Sequence, residues 1–155
     1  MKKTNRSRRR FLAVAAAGAV AAGSRAVRAQ VMLQDIAPIV AKVTGGAPVR
    51  PGRVSLEMPR LADNGHSVPV RISVTSPMTE REFVKSVHII AERNPRPLVA
   101  AFYLFPEDGR AEVTTRIRLA ASQRVLVIAT LSDGSYWSGS ADVEVTETAC
   151  LDATS

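Results

Sequence analysis

Few residues in this chain are equipped for chemistry. Among 155 residues there is one cysteine, Cys150, with five residues after it, and two histidines, His66 and His88. A thiol can act as a nucleophile, a redox centre or a covalent attachment point. The thiolate is the reactive form, and nearby cations lower its pKa. Around Cys150 the charged groups are Glu147, Asp152 and the carboxylate of the chain end. Negative neighbours disfavour the thiolate, so a sluggish thiol is expected, activated only by whatever site receives it. That is how a carrier behaves when its cargo must stay inert in transit. An incidental tail thiol, or a disulfide to another chain, is the competing reading. A thiol-redox enzyme fits less well, because such enzymes use a resolving cysteine or a lowered pKa.

The remaining candidates have plainer readings. His66 adjoins the turn residues Asn64-Gly65, and His88 lies between Val87 and Ile89 in an apolar run. A surface turn and a strand position account for them better than a metal or acid–base pair. Ser67 and Ser122 have no evident base or oxyanion hole nearby. Arg116 and Arg118 share a strand face and could bind a sulfo-anion, although a solvated face explains them as well. Trp137 suits a core or partner interface better than ligand stacking. There is no Gly-rich phosphate loop, metal-ligand spacing or nucleophile elbow, so no catalytic residue, no metal and no cofactor are expected.

Residues 1–29 read as a targeting segment. A basic stretch ending in Ser7-Arg8-Arg9-Arg10-Phe11-Leu12 precedes the uncharged run from Phe11 to Gly23. At 13 residues, that run is shorter than the ~20 needed to span a bilayer and suits a signal peptide. Paired arginines before Phe-Leu match the twin-arginine export pattern. Val27-Arg28-Ala29 places cleavage after Ala29 and the mature chain in the periplasm, with no membrane contact once the leader is removed. The leader also holds eight of the 21 basic residues and none of the 14 acidic ones. The remainder has a net charge of −1, which removes the basic footprint that nucleic-acid binding requires.

The mature length suits one domain. Leu33, Ile36, Ile39, Val40 and Val43 recur at helical spacing over 30–44, with Pro38 interrupting and Gly45-Gly46 as the stop. Seven strands follow: Arg53–Met58, Ser67–Thr75, Phe83–Ala91, Leu98–Phe105, Glu112–Leu119, Gln123–Leu131 and Tyr136–Thr146. Gln123–Leu131 is the most apolar, hence central. Short alternating strands with frequent turn signals predict an all-β, immunoglobulin-like sandwich of about seven strands with a short N-terminal helix. The expected organisation is leader 1–29, sandwich 30–146 and a mobile C-terminal tail 147–155. From Val145 an extended tail would carry the thiol about 16 Å.

Several ordered blocks resemble the SoxY family of sulfur carriers. They are Gly45-Gly46-Ala47-Pro48, Asn64-Gly65 before Val68-Pro69-Val70, Ser76-Pro77-Met78-Thr79, Asn94-Pro95-Arg96-Pro97, Thr115 through Gln123, Ser132-Asp133-Gly134-Ser135 and the terminal cysteine. The resemblance implies an immunoglobulin-like sandwich in a heterodimer with a SoxZ-like subunit. It implies that Cys150 holds sulfur intermediates of thiosulfate oxidation as a thiosulfonate or persulfide, and that other Sox-type periplasmic enzymes act on them transiently. The chain itself would then be a carrier and not an enzyme. It further implies a partner without a leader, exported already bound to this chain. The family's cysteine sits among glycines, Gly-Gly-Cys-Gly-Gly; here it sits in Thr148-Ala149-Cys150-Leu151-Asp152. A non-carrier interaction module associated with a periplasmic dehydrogenase is the alternative that this departure suggests.

Overall fold

The computed structural model describes residues 35–147. The leader and Cys150 lie outside the described residues. Helix α1 spans Ala37–Thr44, with Pro38 in its first turn. There the absent N–H costs nothing, so the proline starts this helix instead of breaking its middle. Gly45 adopts a left-handed conformation at φ 63°, and the Gly46 N–H donates to the Ala41 carbonyl at 3.1 Å, closing the helix.

Nine strands follow: β1 Val49–Pro51, β2 Val54–Glu57, β3 Leu61–Asn64, β4 Val68–Val74, β5 Val84–Ala91, β6 Leu98–Tyr103, β7 Glu112–Ile117, β8 Gln123–Leu131 and β9 Tyr136–Glu147. One sheet has the order β1-β9-β8-β5-β6, with β3 also pairing β9; the other has the order β2-β4-β7. The seven expected strands are all present, in an immunoglobulin-like sandwich. In β4, Val68, Val70, Ile72 and Val74 point inward while Pro69 is exposed. They pack against Val87 and Ile89 of β5, Val125 and Val127 of β8, and Val143 and Val145 of β9. As its composition suggests, β8 is central, with β5 on one side and β9 on the other.

Strands β1 and β3 are the two that the sequence reading omits. Both are short, both adjoin proline or turn residues, and both pair parallel with β9, more than eighty positions away. Such pairing leaves no local periodicity to read. The chain lies along the edge of β9 as β1, joins the opposite sheet as β2 and returns to β9 as β3. Gly52 at φ 105° and Arg53 at φ 56° make the first departure, and glycine is the residue that takes such angles without strain.

Where β2 crosses β9, Gly139 provides the clearance. A Cβ there would stand 2.5 Å from the Val54 carbonyl oxygen, which is backbone and cannot swing away. Gly139→Ala should therefore force the sheets apart and destabilise the fold by about 2 kcal/mol. The check is the midpoint of urea unfolding, with Gly134→Ala as a contrast: that turn position has open space around its Cβ site and a strained φ of 81° only.

Candidate functional site: the pole where β9 ends

β9 runs twelve residues, roughly 36–40 Å from end to end. It finishes at Glu147, three positions before Cys150, and its last residues are held on two sides. On one side Ser122 Oγ accepts from the Val145 N–H at 2.9 Å and donates to the Val145 carbonyl at 3.4 Å. On the other, β3 pairs Leu61, Ala62 and Asn64 with Glu144, Val145 and Glu147. The Glu144 N–H donates to the Arg60 carbonyl at 2.8 Å, and Thr146 Oγ1 donates to the Asp63 carbonyl.

The loop that carries Ser122 is itself held by a buried amide network. Asn94 and Gln123 are only 8% and 7% exposed. Asn94 Nδ2 donates to the Arg118 carbonyl at 2.8 Å, while its Oδ1 accepts from the Ala120 N–H at 2.9 Å and from Gln123 Nε2 at 3.0 Å. Gln123 Oε1 accepts from the Arg93 N–H at 2.8 Å, and its Nε2 also donates to the Ala121 carbonyl. Arg93 Nη1 donates to the Ser122 carbonyl at 3.1 Å. The Leu119 N–H donates to the Gly65 carbonyl at 2.8 Å. Three sequence blocks, Asn64-Gly65, Asn94–Pro97 and Arg118–Gln123, thus meet where β9 ends. An open cleft of about 1090 Å³ runs alongside, lined by Arg60, Arg93 and Arg124 and equally by Glu92, Asp142 and Glu144. Its charges balance, so it favours neither sign of ligand.

The other sequence candidates do not assemble. His66 is exposed, and its N–H donates to Asn64 Oδ1 at 3.2 Å, making the turn. This turn carries the chain from one sheet to the other and does not close a hairpin, since β3 and β4 belong to different sheets. His88 stands on β5 with its ring edge-on to Tyr103, centroids 6.4 Å apart. Among the described residues, no group of three His, Cys, Asp or Glu converges as metal ligands would. Arg116 Nη1 is spent on Ser67, donating to its carbonyl and Oγ at 3.2 Å each. Ser122 has a structural role that was not legible in the sequence. Trp137 packs half-buried against the core; its Nε1 donates to Ser135 Oγ, and Arg50 and Arg53 lie 5.8 and 5.0 Å from its ring centre. It belongs to the opposite pole, with the Asp133-Gly134 turn. There the Ser135 side chain and N–H hold the Asp133 carboxyl below its ordinary range.

The class that these elements define is the two-sheet immunoglobulin-like sandwich. Within that class the family is specific: the model described as "Sulfur oxidation protein SoxY" matches residues 40–150, and the chain belongs to this family. The sulfur carrier protein SoxY from Chlorobium limicola f. thiosulfatophilum superposes with a TM-score of 0.60 at 25% identity, over 70% of this chain and 94% of that one. The superoxide reductase (neelaredoxin) from Ignicoccus hospitalis matches with a TM-score of 0.55 at 17% identity, over 61% of this chain and 80% of that one. The superoxide reductase from Nanoarchaeum equitans gives 0.51 at 10%, over 62% and 100%. These last two likenesses concern the fold alone. No curated protein matches the chain in sequence.

Two outcomes are expected of this region and its neighbour strand. Asn94→Ala removes a donor and an acceptor from a buried network, leaving the Arg118 carbonyl and Ala120 N–H unpaired, and should cost about 3 kcal/mol. Hydrogen exchange should then quicken in the 118–123 loop and at the end of β9 before the core opens. Desolvation lowers the pKa of His88 below 6.5, and its buried Nδ1 has no hydrogen-bond partner. The unfolded chain therefore binds more protons than the folded one between that lowered value and 6.5, so stability falls as pH drops through this window. Thermal midpoints should decline from pH 7.5 to 5.5, and His88→Gln should flatten the decline.

Proposed function

We propose that this chain is a periplasmic carrier in inorganic sulfur oxidation, holding its cargo covalently on Cys150. The observation that carries this reading is the braced root of the tail. Ser122, β3 and the Asn94–Gln123 network fix Glu147, and three more residues reach about 10 Å when extended. A thiol so placed can be offered to the site of another protein while the sandwich stays outside. Family membership supports the same role, and the matched region runs as far as Cys150.

Loading thiosulfate as a thiosulfonate joins the Cys150 sulfur to the outer sulfur of thiosulfate. The thiol proton and two electrons leave, so a separate enzyme with an electron acceptor must perform the step. Hydrolysis and further oxidation of the cargo fall likewise to other Sox-type enzymes, and this chain is not itself an enzyme. In the same reading a SoxZ-like subunit binds the sandwich. The twin-arginine leader, cleaved after Ala29, exports the pair already folded.

A second reading rests on the tail's composition. Leu151 and Asp152 widen and charge the segment where the family has glycines. A tail that no longer enters a narrow channel would leave a non-carrier interaction module associated with a periplasmic dehydrogenase. One experiment separates the two. Protein from cells growing on thiosulfate should show sulfur-containing adducts in its intact mass, and Cys150→Ser should abolish both the adducts and thiosulfate-dependent growth. Unmodified Cys150 throughout, with growth indifferent to the substitution, would overturn the carrier reading in favour of the module.

A further inference from the structure

The described residues hold two asparagines, Asn64 and Asn94, and the fold treats them in opposite ways. The side-chain carbon Cγ of asparagine is an electrophile, and the next peptide nitrogen can attack it. Whether it does depends on three things: a nitrogen not shielded by its own side chain, an N–H not committed to a sheet, and water at the site. Asn94 fails each condition. Pro95 follows it and has no N–H to lose. Its amide is buried, with oxygen and nitrogen both hydrogen-bonded.

Asn64 meets all three. It is exposed, and Gly65 follows it. The Glu144 N–H donates to the Arg60 carbonyl, which sets the phase of the parallel ladder between β3 and β9. Alternate residues face β9, so Ala62 and Asn64 turn their backbone groups to it and Gly65 turns away. The Gly65 carbonyl accordingly accepts from Leu119 N–H, on the other side, at 2.8 Å. The Gly65 N–H therefore takes no part in the ladder. The His66 N–H donates to Asn64 Oδ1 at 3.2 Å. This Asx turn closes a ring that contains both Asn64 Cγ and the Gly65 nitrogen, and so holds the two reacting atoms near each other. It also sets a donor at the oxygen where negative charge develops as Cγ becomes tetrahedral, which is how an oxyanion hole lowers a barrier.

We propose that Asn64 is a site of spontaneous deamidation, and that the isoaspartate formed there loosens the end of β9. The Gly65 nitrogen loses its proton and bonds to Asn64 Cγ. The Cγ–Nδ2 bond breaks, and ammonia leaves with the proton. Water then opens the cyclic imide at either carbonyl. One opening gives aspartate, with the chain path unchanged and one negative charge added. The other gives isoaspartate, in which the main chain runs through the former side chain and is one carbon longer. No oxidant or reductant is needed. The extra carbon falls where two braces meet. It spoils the last pairing of β3 with β9, Asn64 with Glu147. It also moves the Gly65 carbonyl off Leu119, at the start of the loop that carries Ser122 to Val145.

The test ages the purified full chain in mildly alkaline buffer and maps it with trypsin. The peptide 61–71 contains Asn64 and no other asparagine. Two new forms of it are expected, each heavier by the exchange of amino for hydroxyl, one aspartyl and one isoaspartyl, while Asn94 stays intact. The folded chain should deamidate at least as fast as the chain unfolded in urea, where the Asx turn is lost. In the isoaspartyl fraction the Leu119 amide should exchange hydrogen about tenfold faster, as loss of one ordinary hydrogen bond implies. Aged Asn64→Gln should show neither change, which separates the effect from general ageing. Deamidation confined to the unfolded chain overturns the proposal, as does an isoaspartyl form with Leu119 protected as before. Cys150 takes no part in the reaction, so failure here is distinguishable from failure of the carrier reading.

Discussion

The side-chain amide of Asn94 is the contact on which this pole of the protein depends. One oxygen accepts two hydrogen bonds and one nitrogen donates a third, joining the β5–β6 turn to the 118–123 loop. Because the group is buried, each lost partner would leave a polar atom without water, at a cost of about 1–3 kcal/mol. That asymmetry makes the network a strong positioning device. It fixes the loop, the loop fixes Ser122, and Ser122 fixes Val145 near the end of β9.

β9 supplies the length that separates the two poles. It is paired along one side by β8 and along the other by β1 and β3, which leave a gap between Ser138 and Glu144. β2 approaches β9 at that gap, and Gly139 admits its backbone. The sandwich is thus tied together by a segment that begins on one sheet, visits the other and comes back.

The candidate chemistry follows from what the sandwich supplies and what it leaves to others. Its histidines are apart, Ser122 is committed to backbone, Ser67 and Arg116 are committed to each other, and the cleft beside the end of β9 balances its charges. A protein built to hold a reactive sulfur species gains from that inertness.

Much of this was legible in the sequence by itself. Alternation in Val68–Val74 and Glu112–Ile117 sets which face is buried, because successive side chains of a strand point to opposite sides. The unbroken apolar run of Gln123–Leu131 marks the centre of a sheet. Cys150 is the single cysteine of the sequence. Only the tertiary structure decided the rest. β1 and β3 exist because β9 offers them a distant parallel edge. Pro38 starts a helix that it was expected to interrupt. Ser122, read first as a candidate nucleophile without a base, is a backbone clamp. Asn94 and Gln123, far apart as turn and strand residues, became one buried network. Local patterns record which side of an element meets the core; which elements meet each other is recorded in pairings between distant residues, and a one-dimensional pattern does not contain them.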